Sequence, residues 1–271
     1  IDLGADAAVV LTSGSTGRPK GVLLSYGNLL LNAEGAGKLI PFLPSDRWLL
    51  SLPLWHVSGL SIVFRSLNGG GAIVVPGPDE ILEEAIERYR PTHLSLVPAQ
   101  LRRIMARRDK LAGHSIKAVL LGGAPIPASL AAEAVMAGLP VYATYGLTEA
   151  ASQVATGPVD QEGSAQVRVL PGRELMISAD DEVLVRGGVV FRRYAFGDSG
   201  DGPDPEGWYH TGDKGQLDED GRLTILGRLD NMFICGGENV HPENIEKALL
   251  EHPLVDQALV VGISDEELGV R

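Results

Sequence analysis

The stretch Thr12-Ser13-Gly14-Ser15-Thr16-Gly17-Arg18-Pro19-Lys20-Gly21 follows directly on the apolar run from Ala7 to Leu11. A short aliphatic run of this kind is typical of a buried strand. The stretch after it combines glycines, hydroxyl side chains and one lysine, and glycine allows a loop to turn its backbone N–H groups toward an anion. We therefore predict a strand followed by a polyphosphate-binding loop. Its spacing differs from G-x-x-x-x-G-K-[ST], because no hydroxyl follows the lysine.

Short apolar runs alternate with amphipathic stretches from Ala7 to Gly123. The pattern predicts strands at 48–54, 72–75, 94–97 and 116–121, and helices at 80–90, 99–108 and 129–137. This repetition favours an α/β fold with a mostly parallel, helix-covered sheet. Ligands of such sheets bind at the carboxyl ends of the strands. The loops at Thr12, Gly122 and Tyr145 each follow a strand-like run, so we expect them to converge on one site.

The pattern changes near Arg168, where short apolar runs are separated by Gly, Asp and Pro. We predict strands at 182–186, 215–217 and 222–226 and a polar loop at 198–207. This is typical of a small antiparallel β subdomain, covering about 168–229. After Asp230 we predict a strand at 232–235, a helix at 242–251 and a strand at 258–261.

The loop from Thr12 to Gly21 resembles the phosphate-binding signature of the adenylate-forming superfamily: acyl-CoA ligases, luciferases and peptide-synthetase adenylation domains. Further segments match superfamily motifs in the same order, and they are Tyr145-Gly146-Leu147-Thr148-Glu149, Tyr209-His210-Thr211-Gly212-Asp213, and Gly227-Arg228-Leu229-Asp230 with Gly236-Gly237-Glu238-Asn239. The resemblance covers essentially the whole chain. It implies that residues 1–229 are part of a large N-terminal domain. Residues 230–271 would then be the hinge, at Asp230, and the start of a small α+β C-terminal domain.

The superfamily also has a region before the phosphate loop and a late lysine in its last domain. Neither is present in these 271 residues. We therefore expect a fragment that does not complete the reaction alone.

The resemblance implies a two-step reaction that uses ATP, Mg²⁺ and coenzyme A. A carboxylate attacks the α-phosphorus of ATP, and the thiol of coenzyme A then displaces AMP from the acyl-adenylate. The first step crowds negative charge at phosphorus, which calls for cations and oriented donors. Lys20 suits the β- and γ-phosphates, Thr148 the α-phosphate, and Glu149 a magnesium ion, which prefers oxygen ligands. The residues expected to act in catalysis are Lys20, Thr148, Glu149 and His56.

The remaining motif residues suit the nucleoside. Tyr145 offers a ring for adenine to stack on, and Asp213 can accept hydrogen bonds from the ribose hydroxyls while Arg228 donates to them. The nucleotide-binding residues expected are Thr12, Ser13, Gly14, Ser15, Thr16, Gly17, Lys20, Gly122, Gly123, Ala124, Tyr145, Gly146, Thr148, Asp213 and Arg228.

The acid pocket is expected after the strand at 48–54. The superfamily has a histidine or aromatic residue at the position of His56, lining the acyl pocket, and we assign Ser58, Gly59 and Gly123 to the same pocket. The detail looks most like members that activate o-succinylbenzoate in menaquinone biosynthesis. That acid has two carboxylates, and the guanidinium fork of Arg65 matches the one that does not react. An Arg65 that reaches solvent or pairs with Asp or Glu is the alternative.

Composition narrows the possibilities further. A net charge of −12 argues against a nucleic-acid or anionic-membrane surface. No apolar run approaches the roughly 18 residues of a membrane span. A single cysteine, Cys235, excludes an internal disulfide and agrees with a cytoplasmic protein. A homo-oligomer is compatible with these features.

Three alternative functions remain open. The protein could be another aryl or fatty acyl-CoA ligase. A peptide-synthetase adenylation domain would need an acidic residue for the amino group of its substrate, and 48–60 and 122–127 contain no clear aspartate for this. A non-catalytic relative would not need Glu149, Asp213 and Arg228 together.

Overall fold

The computed structural model of the chain describes residues 2–12, 19–111, 113–196, 202–231, 233–235, 238–240, 242–252, 254–255, 258–265 and 269–271. Most of the predicted phosphate loop, with Ser13, Gly14, Ser15, Thr16 and Gly17, lies outside the described residues.

The strands, in chain order, are β1 (Asp6–Thr12), β2 (Lys20–Ser25), β3 (Arg47–Leu49), β4 (Ala72–Val74), β5 (His93–Leu96), β6 (Ala118–Leu121), β7 (Val141–Leu147), β8 (Ser152–Pro158), β9 (Arg168–Val169), β10 (Arg173–Ile177), β11 (Glu182–Gly187), β12 (Arg193–Tyr194), β13 (Tyr209–Leu217), β14 (Leu223–Arg228), β15 (Phe233–Cys235), β16 (Glu238–Val240), β17 (Ser264–Asp265) and β18 (Gly269–Val270). The helices are α1 (Tyr26–Leu39), α2 (Val57–Gly69), α3 (Leu82–Tyr89), α4 (Pro98–Ala106), α5 (Ala128–Met136) and α6 (Pro242–Leu250), with 3₁₀ turns at Arg108–Leu111 and Thr148–Ala150.

A seven-stranded sheet in the order β4-β3-β5-β6-β7-β8-β9 forms the centre of the fold. The pairs from β4 to β7 are parallel, and the pairs β7–β8 and β8–β9 are antiparallel. Every residue of β5 and β6 is buried, as expected of strands inside a helix-covered parallel sheet. The predicted α/β fold with a mostly parallel sheet is confirmed.

Helices α1 and α2 were not predicted from sequence. The segment of α1 contains three glycines in Tyr26–Leu39, and glycine has a low helix propensity. A capping box supplies the missing start signal, because Ser25 and Asn28 exchange side-chain and backbone hydrogen bonds. The strand predicted at 48–54 ends at Leu49, and Pro53 has no N–H with which to extend a ladder.

The predicted phosphate loop joins strands outside the central sheet. β1 and β2 are antiparallel, and their last paired residues are Thr12 and Lys20. β12 adds to the other edge of β2. The expectation that Thr12 ends a strand of the parallel sheet is therefore wrong, and Tyr145 lies within β7 rather than in a loop after it. Antiparallel pairing with the next strand of the chain decides both points, through β2 for Thr12 and β8 for Tyr145.

A four-stranded antiparallel sheet, β10-β11-β13-β14, corresponds to the predicted β subdomain. It begins at Arg173, because the residues Arg168–Val169 complete the central sheet instead. β13 starts at Tyr209, ahead of the predicted 215. The motif from Tyr209 to Asp213 is consequently part of a strand.

The last part of the chain carries α6 and the antiparallel sheet β16-β15-β18-β17. The helix predicted at 242–251 is found at Pro242–Leu250, and proline suits a first helical position. The strand predicted at 258–261 is wrong. The N–H of Val260 donates to Glu246 Oε1 at 2.8 Å, so a side chain takes the place of a ladder partner.

One hydrophobic core connects the three sheets that carry the predicted motifs. Val10 and Leu24 of the β1–β2 hairpin belong to the same cluster as Leu121 of β6, Val183 of β11 and Phe191 before β12. This shared core fixes the relative positions of the motif-bearing strand ends. Among the described residues, no helix is long and apolar enough to cross a membrane.

Candidate active site

The three sheets meet around a cavity of about 880 Å³. Its walls include Thr12 and Lys20 from the β1–β2 hairpin, Glu149 from the 3₁₀ turn after β7, Asp213 from β13 and Arg228 at the end of β14. The sequence assigned all five residues to one nucleotide site. The fold brings them together, and we refer to this space as the nucleotide cavity.

Asp213 is the centre of a hydrogen-bonded cluster in the nucleotide cavity. Tyr145 Oη donates to Asp213 Oδ2 at 2.6 Å, and Arg228 Nη1 donates to Asp213 Oδ1 at 3.1 Å. Arg228 also holds Asp230 through two hydrogen bonds of 2.9 and 3.1 Å. The cluster therefore presents a carboxylate whose orientation is fixed from two sides.

The pKa values of this cluster reflect its burial. Burial raises the pKa of Asp213, against the opposing effects of Tyr145 and Arg228. Burial and the negative charge of Asp213 raise the pKa of Tyr145, so this hydroxyl remains a donor at neutral pH. Hydrogen bonds to Asp230 raise the pKa of Arg228, which keeps the guanidinium cationic.

The backbone conformation and close packing at Gly212 explain why the Tyr209–Asp213 motif contains a glycine. Gly212 has a φ of 71°, a left-handed conformation that glycine adopts without strain. A Cβ at this position would lie 2.8 Å from Arg228 Nη2. Gly212 therefore allows the guanidinium to reach Asp213.

Glu149 is held by Tyr194, a residue that the sequence motifs did not assign. Tyr194 Oη donates to Glu149 Oε1 at 2.9 Å, and the Tyr209 hydroxyl lies 3.1 Å from that of Tyr194. Phe191 packs edge-on against both tyrosine rings. Lys20 Nζ lies 5.2 Å from the centre of the Tyr194 ring. Tyr209 is the first residue of a recognised motif, whereas no sequence pattern around Tyr194 indicates its role.

The donor set fits a magnesium ion only together with phosphate. Groups of three or more His, Cys, Asp or Glu suited to a metal are absent from the described part of the chain. Mg²⁺ commonly binds proteins through one or two carboxylates and completes its shell with substrate phosphates and water. Glu149, beside Lys20 and the ends of the phosphate loop, is compatible with that mode.

Several predicted nucleotide residues lie outside the lining of the nucleotide cavity. Gly122, Gly123 and Ala124 follow β6, and a Cβ on Gly122 would lie 2.6 Å from the Thr144 side chain. A Cβ on Gly146 would collide with the backbone of Ser152. Close packing of β6, β7 and β8 accounts for these two glycines. Thr148 is half-buried in the 3₁₀ turn beside Glu149.

The residues predicted for the acid pocket lie along α2. His56 is the exposed residue before its first turn and contacts the ring of Trp55. Ser58 is half-buried and Gly59 is buried, where a Cβ would lie 2.6 Å from Leu52 O. Neither His56 nor these two residues are part of the nucleotide cavity wall.

Arg65 lies further along α2 and lines a second cavity of about 390 Å³ with Trp48 and Phe42. We refer to it as the Arg65 cavity. The side chain is 5% exposed, and its Nε is buried without a hydrogen-bond partner. Its Nη2 lies 3.5 Å from Ser152 Oγ, and its guanidinium lies 5.3 Å from the Trp48 ring.

Neither alternative for Arg65 is seen among the described residues. It does not reach solvent, and in the part of the chain that the structure describes no Asp or Glu forms an ion pair with it. Burial and the positive charge of Arg173 lower the pKa of Arg65 to about 9, so it is cationic at neutral pH. The Arg65 cavity thus contains a buried cation that is bonded to no carboxylate of the described residues; Glu34, which also lines the cavity, pairs with Lys38.

The chain belongs to the AMP-binding enzyme family, which matches residues 4–195. A curated relative, the 2-succinylbenzoate–CoA ligase of Salmonella typhimurium strain LT2, is 45% identical over 267 residues, which are 97% of this chain and 56% of the relative.

Two solved structures of one related enzyme also resemble this chain. One is the o-succinylbenzoate CoA synthetase (MenE) of Bacillus subtilis in complex with the acyl-adenylate intermediate OSB-AMP, with a TM-score of 0.88, 34% identity, and coverage of 100% of this chain and 59% of that one. Another, of the same enzyme with ATP and magnesium, has a TM-score of 0.88, 33% identity, and coverage of 99% and 59%. The chain therefore spans somewhat more than half the length of the proteins it matches.

Proposed function

We propose that this chain is the ATP-binding part of an AMP-forming acid–CoA ligase whose acid is 2-succinylbenzoate, in menaquinone biosynthesis. The observation that carries the reaction class is the nucleotide cavity, where Asp213, Arg228, Glu149 and Lys20 meet. The 45% identity to a 2-succinylbenzoate–CoA ligase supports the acid. Residues 1–229 would form part of the large domain, and 230–271 the hinge and the beginning of the small one.

Asp213 and Arg228 would bind the ribose. Each Asp213 oxygen accepts one hydrogen bond from the protein, and a carboxylate offers about four acceptor positions in total. Both oxygens therefore retain capacity for a ribose hydroxyl. The 2.6 Å hydrogen bond from Tyr145 to Asp213 also fixes the tyrosine ring. The fixed ring would present its face to adenine.

Lys20, Thr12 and Thr148 would hold the phosphates, and Glu149 would hold Mg²⁺. The cation supplies neutralising charge on the phosphate oxygens when it is bound. Lys20 is placed at the pairing position opposite Thr12, where the hairpin anchors both ends of the loop. Its charge would stabilise the departing pyrophosphate.

The chemistry would proceed by two displacements. In the first, an oxygen of the acid carboxylate forms a bond to the α-phosphorus and the bond to pyrophosphate breaks, which yields the acyl-adenylate. In the second, the sulfur of coenzyme A bonds to the acyl carbon and AMP leaves with the anhydride oxygen, while the thiol proton passes to solvent. His56, exposed at the start of α2, would act as a wall or gate of the acid pocket.

Arg65 would bind the carboxylate of the acid that does not react. A buried guanidinium without a carboxylate is unfavourable until a ligand supplies the opposite charge. Arginine can bind a carboxylate through two parallel hydrogen bonds. Ser152, which contacts Arg65, begins β8, the strand that follows the 3₁₀ turn carrying Glu149.

Asp230 would be the hinge between the two half-reactions. It lies just after β14, and its carboxylate is held by Arg228. Asp230→Pro fixes φ and should reduce thioester formation more than acyl-adenylate formation, while Asp230→Asn controls for the lost charge. An equal loss in both half-reactions would argue against a hinge.

The test of the function is ATP–pyrophosphate exchange by the full-length protein with a panel of acids. We expect 2-succinylbenzoate to support exchange far better than benzoate, a fatty acid or an amino acid. Best exchange with a fatty or simple aryl acid would indicate another acyl-CoA ligase, and best exchange with an amino acid a peptide-synthetase domain. No exchange with any acid would contradict the reaction class.

A further inference from the structure

Two tyrosine hydroxyls connect Glu149 to the other side of the nucleotide cavity. Tyr194 lies on β12, Tyr209 on β13, and Glu149 in the turn after β7. The oxygen atoms form a chain with separations of 2.9 and 3.1 Å. Each of the three sheets that build the cavity thus contributes one member.

The direction of these hydrogen bonds follows from the donors available. A hydroxyl has one proton to donate, and an ionised carboxylate only accepts. Tyr194 donates to Glu149, so Tyr209 must be the donor in the bond between the two hydroxyls.

Tyr194 also faces the lysine of the phosphate loop. Lys20 Nζ lies 5.2 Å from the ring centre, within the range in which a cation is attracted to an aromatic face. β12 pairs with β2, the strand that begins at Lys20, and Tyr194 pairs with Val22. One side chain therefore contacts both the carboxylate and the lysine through two different parts of its structure.

We propose that Tyr194 is a positioning residue: its hydroxyl holds Glu149 in place as a ligand for the divalent cation that accompanies ATP, and its ring holds Lys20 beside that cation. This rests on the proposed function, because it assigns a role within the same ATP site. Hydrogen bonds to metal-binding carboxylates orient them, and their loss commonly weakens metal affinity about 10- to 100-fold. The Tyr209 hydroxyl donates a hydrogen bond to the Tyr194 hydroxyl and so helps to hold it in place.

The test is the Mg²⁺ dependence of binding of a non-hydrolysable ATP analogue to the full-length protein, measured by isothermal titration calorimetry. Tyr194→Phe removes the hydroxyl and retains the ring that faces Lys20. We expect the Mg²⁺ concentration at half-maximal binding to rise about 10-fold or more. AMP affinity should stay unchanged, because the Asp213 cluster is intact. Tyr209→Phe should give a smaller rise.

Tyr89→Phe is the matched control, because Tyr89 Oη also donates to a carboxylate, that of Glu80, at 3.1 Å, on α3 and outside the nucleotide cavity. It should leave the Mg²⁺ dependence unchanged. If Tyr194 acts through Glu149, Tyr194→Phe should add little further effect in a Glu149→Gln background.

The outcomes separate this inference from the proposed function. A wild-type protein that binds neither AMP nor the ATP analogue would overturn both. Wild-type binding with a Tyr194→Phe variant of unchanged Mg²⁺ dependence would overturn the role of Tyr194 alone. A Tyr194→Phe variant that loses AMP and ATP affinity equally would show a structural role, and would also overturn it.

Discussion

The nucleotide cavity and the Arg65 cavity hold their charged groups in opposite ways. In the nucleotide cavity, Asp213 lies between Tyr145 and Arg228, and Arg228 also holds Asp230. In the Arg65 cavity, the guanidinium is buried, its Nε lacks a partner, and Arg173 adds a charge of the same sign. The charges of the Asp213 cluster are bonded to one another, whereas no Asp or Glu among the described residues is bonded to Arg65.

This difference separates a general site from a selective one. Charges that are already paired are stable without a ligand, so the nucleotide cavity can be preformed for any reaction that uses ATP. An unpaired buried cation is unfavourable until a carboxylate arrives. Under the proposed function, the affinity of the Arg65 cavity should therefore depend on the charge of the acid, and we expect selectivity among acids to arise there.

The largest effect is expected from Asp213→Ala in the nucleotide cavity. The substitution removes both acceptors for the ribose, and each charge-assisted hydrogen bond contributes about 1.5–3 kcal/mol, so AMP affinity should fall about 100-fold or more. Calorimetric titration of AMP measures the effect. Asp160→Ala, at an exposed turn that caps Ser164 N, is the control. An AMP affinity within fivefold of wild type would show that Asp213 does not contact the ribose.

Lys20→Ala should weaken ATP use about 10- to 150-fold, the value of one charge-assisted contact. ATP–pyrophosphate exchange at varied ATP measures it. The matched control is Lys214→Ala, because Lys214 pairs with Asp181 at 3.2 Å and lines neither cavity. Unchanged exchange in Lys20→Ala would remove Lys20 from the site.

Arg65→Met tests the role of the Arg65 cavity. The KM for 2-succinylbenzoate should rise about 10- to 100-fold, the loss of a charged contact, while the KM for ATP and the use of benzoate change little. Because no carboxylate among the described residues pairs with the buried cation, a side chain of similar volume without charge should leave the Tm unchanged or higher. Arg108→Met, at an exposed arginine that pairs with Glu133, is the control. Normal preference for the diacid together with a lower Tm would make Arg65 structural.

The smallest effect is expected at Asp46, a buried charge that has its partners in the chain. Burial alone would raise the pKa of Asp46, but the bonds from Lys117, at 2.6 Å, and from the Leu43 N–H lower it overall. Its stabilising contribution is therefore complete above the unfolded pKa of about 3.9 and is lost as the pH falls through the lower folded value. Asp46→Asn should cost about 1.5 kcal/mol at pH 7 and much less near pH 3.

Thermal unfolding at both pH values measures this difference. Asp160→Asn, with an exposed carboxyl, is the control. A cost for Asp46→Asn that is equal at pH 3 and pH 7 would show that the ion pair contributes nothing.

Signals that act over a few residues were sufficient for much of the fold. The apolar periodicity predicted α3, α4, α5 and α6 to within a few residues, and the buried runs predicted β5 and β6. Motif order singled out Lys20, Glu149, Asp213 and Arg228, which the structure gathers around one cavity. These patterns can be recognised in the sequence because helix periodicity and strand burial are set by neighbouring residues.

Tertiary structure alone decided which strands pair and which side chains meet. The addition of β12 to the β1–β2 hairpin and the hydrogen bonds from Asn28 of α1 to Gly188 O and Val190 O join segments more than 150 residues apart. The contact of Tyr194 with Glu149 joins residues 45 positions apart. The burial of Arg65 without a carboxylate likewise depends on Trp48 and Ser152, which the fold brings to α2. Local sequence determined the elements and the chemistry of the motifs, because these depend on near neighbours; long-range packing determined which charges are paired and which one remains for a ligand.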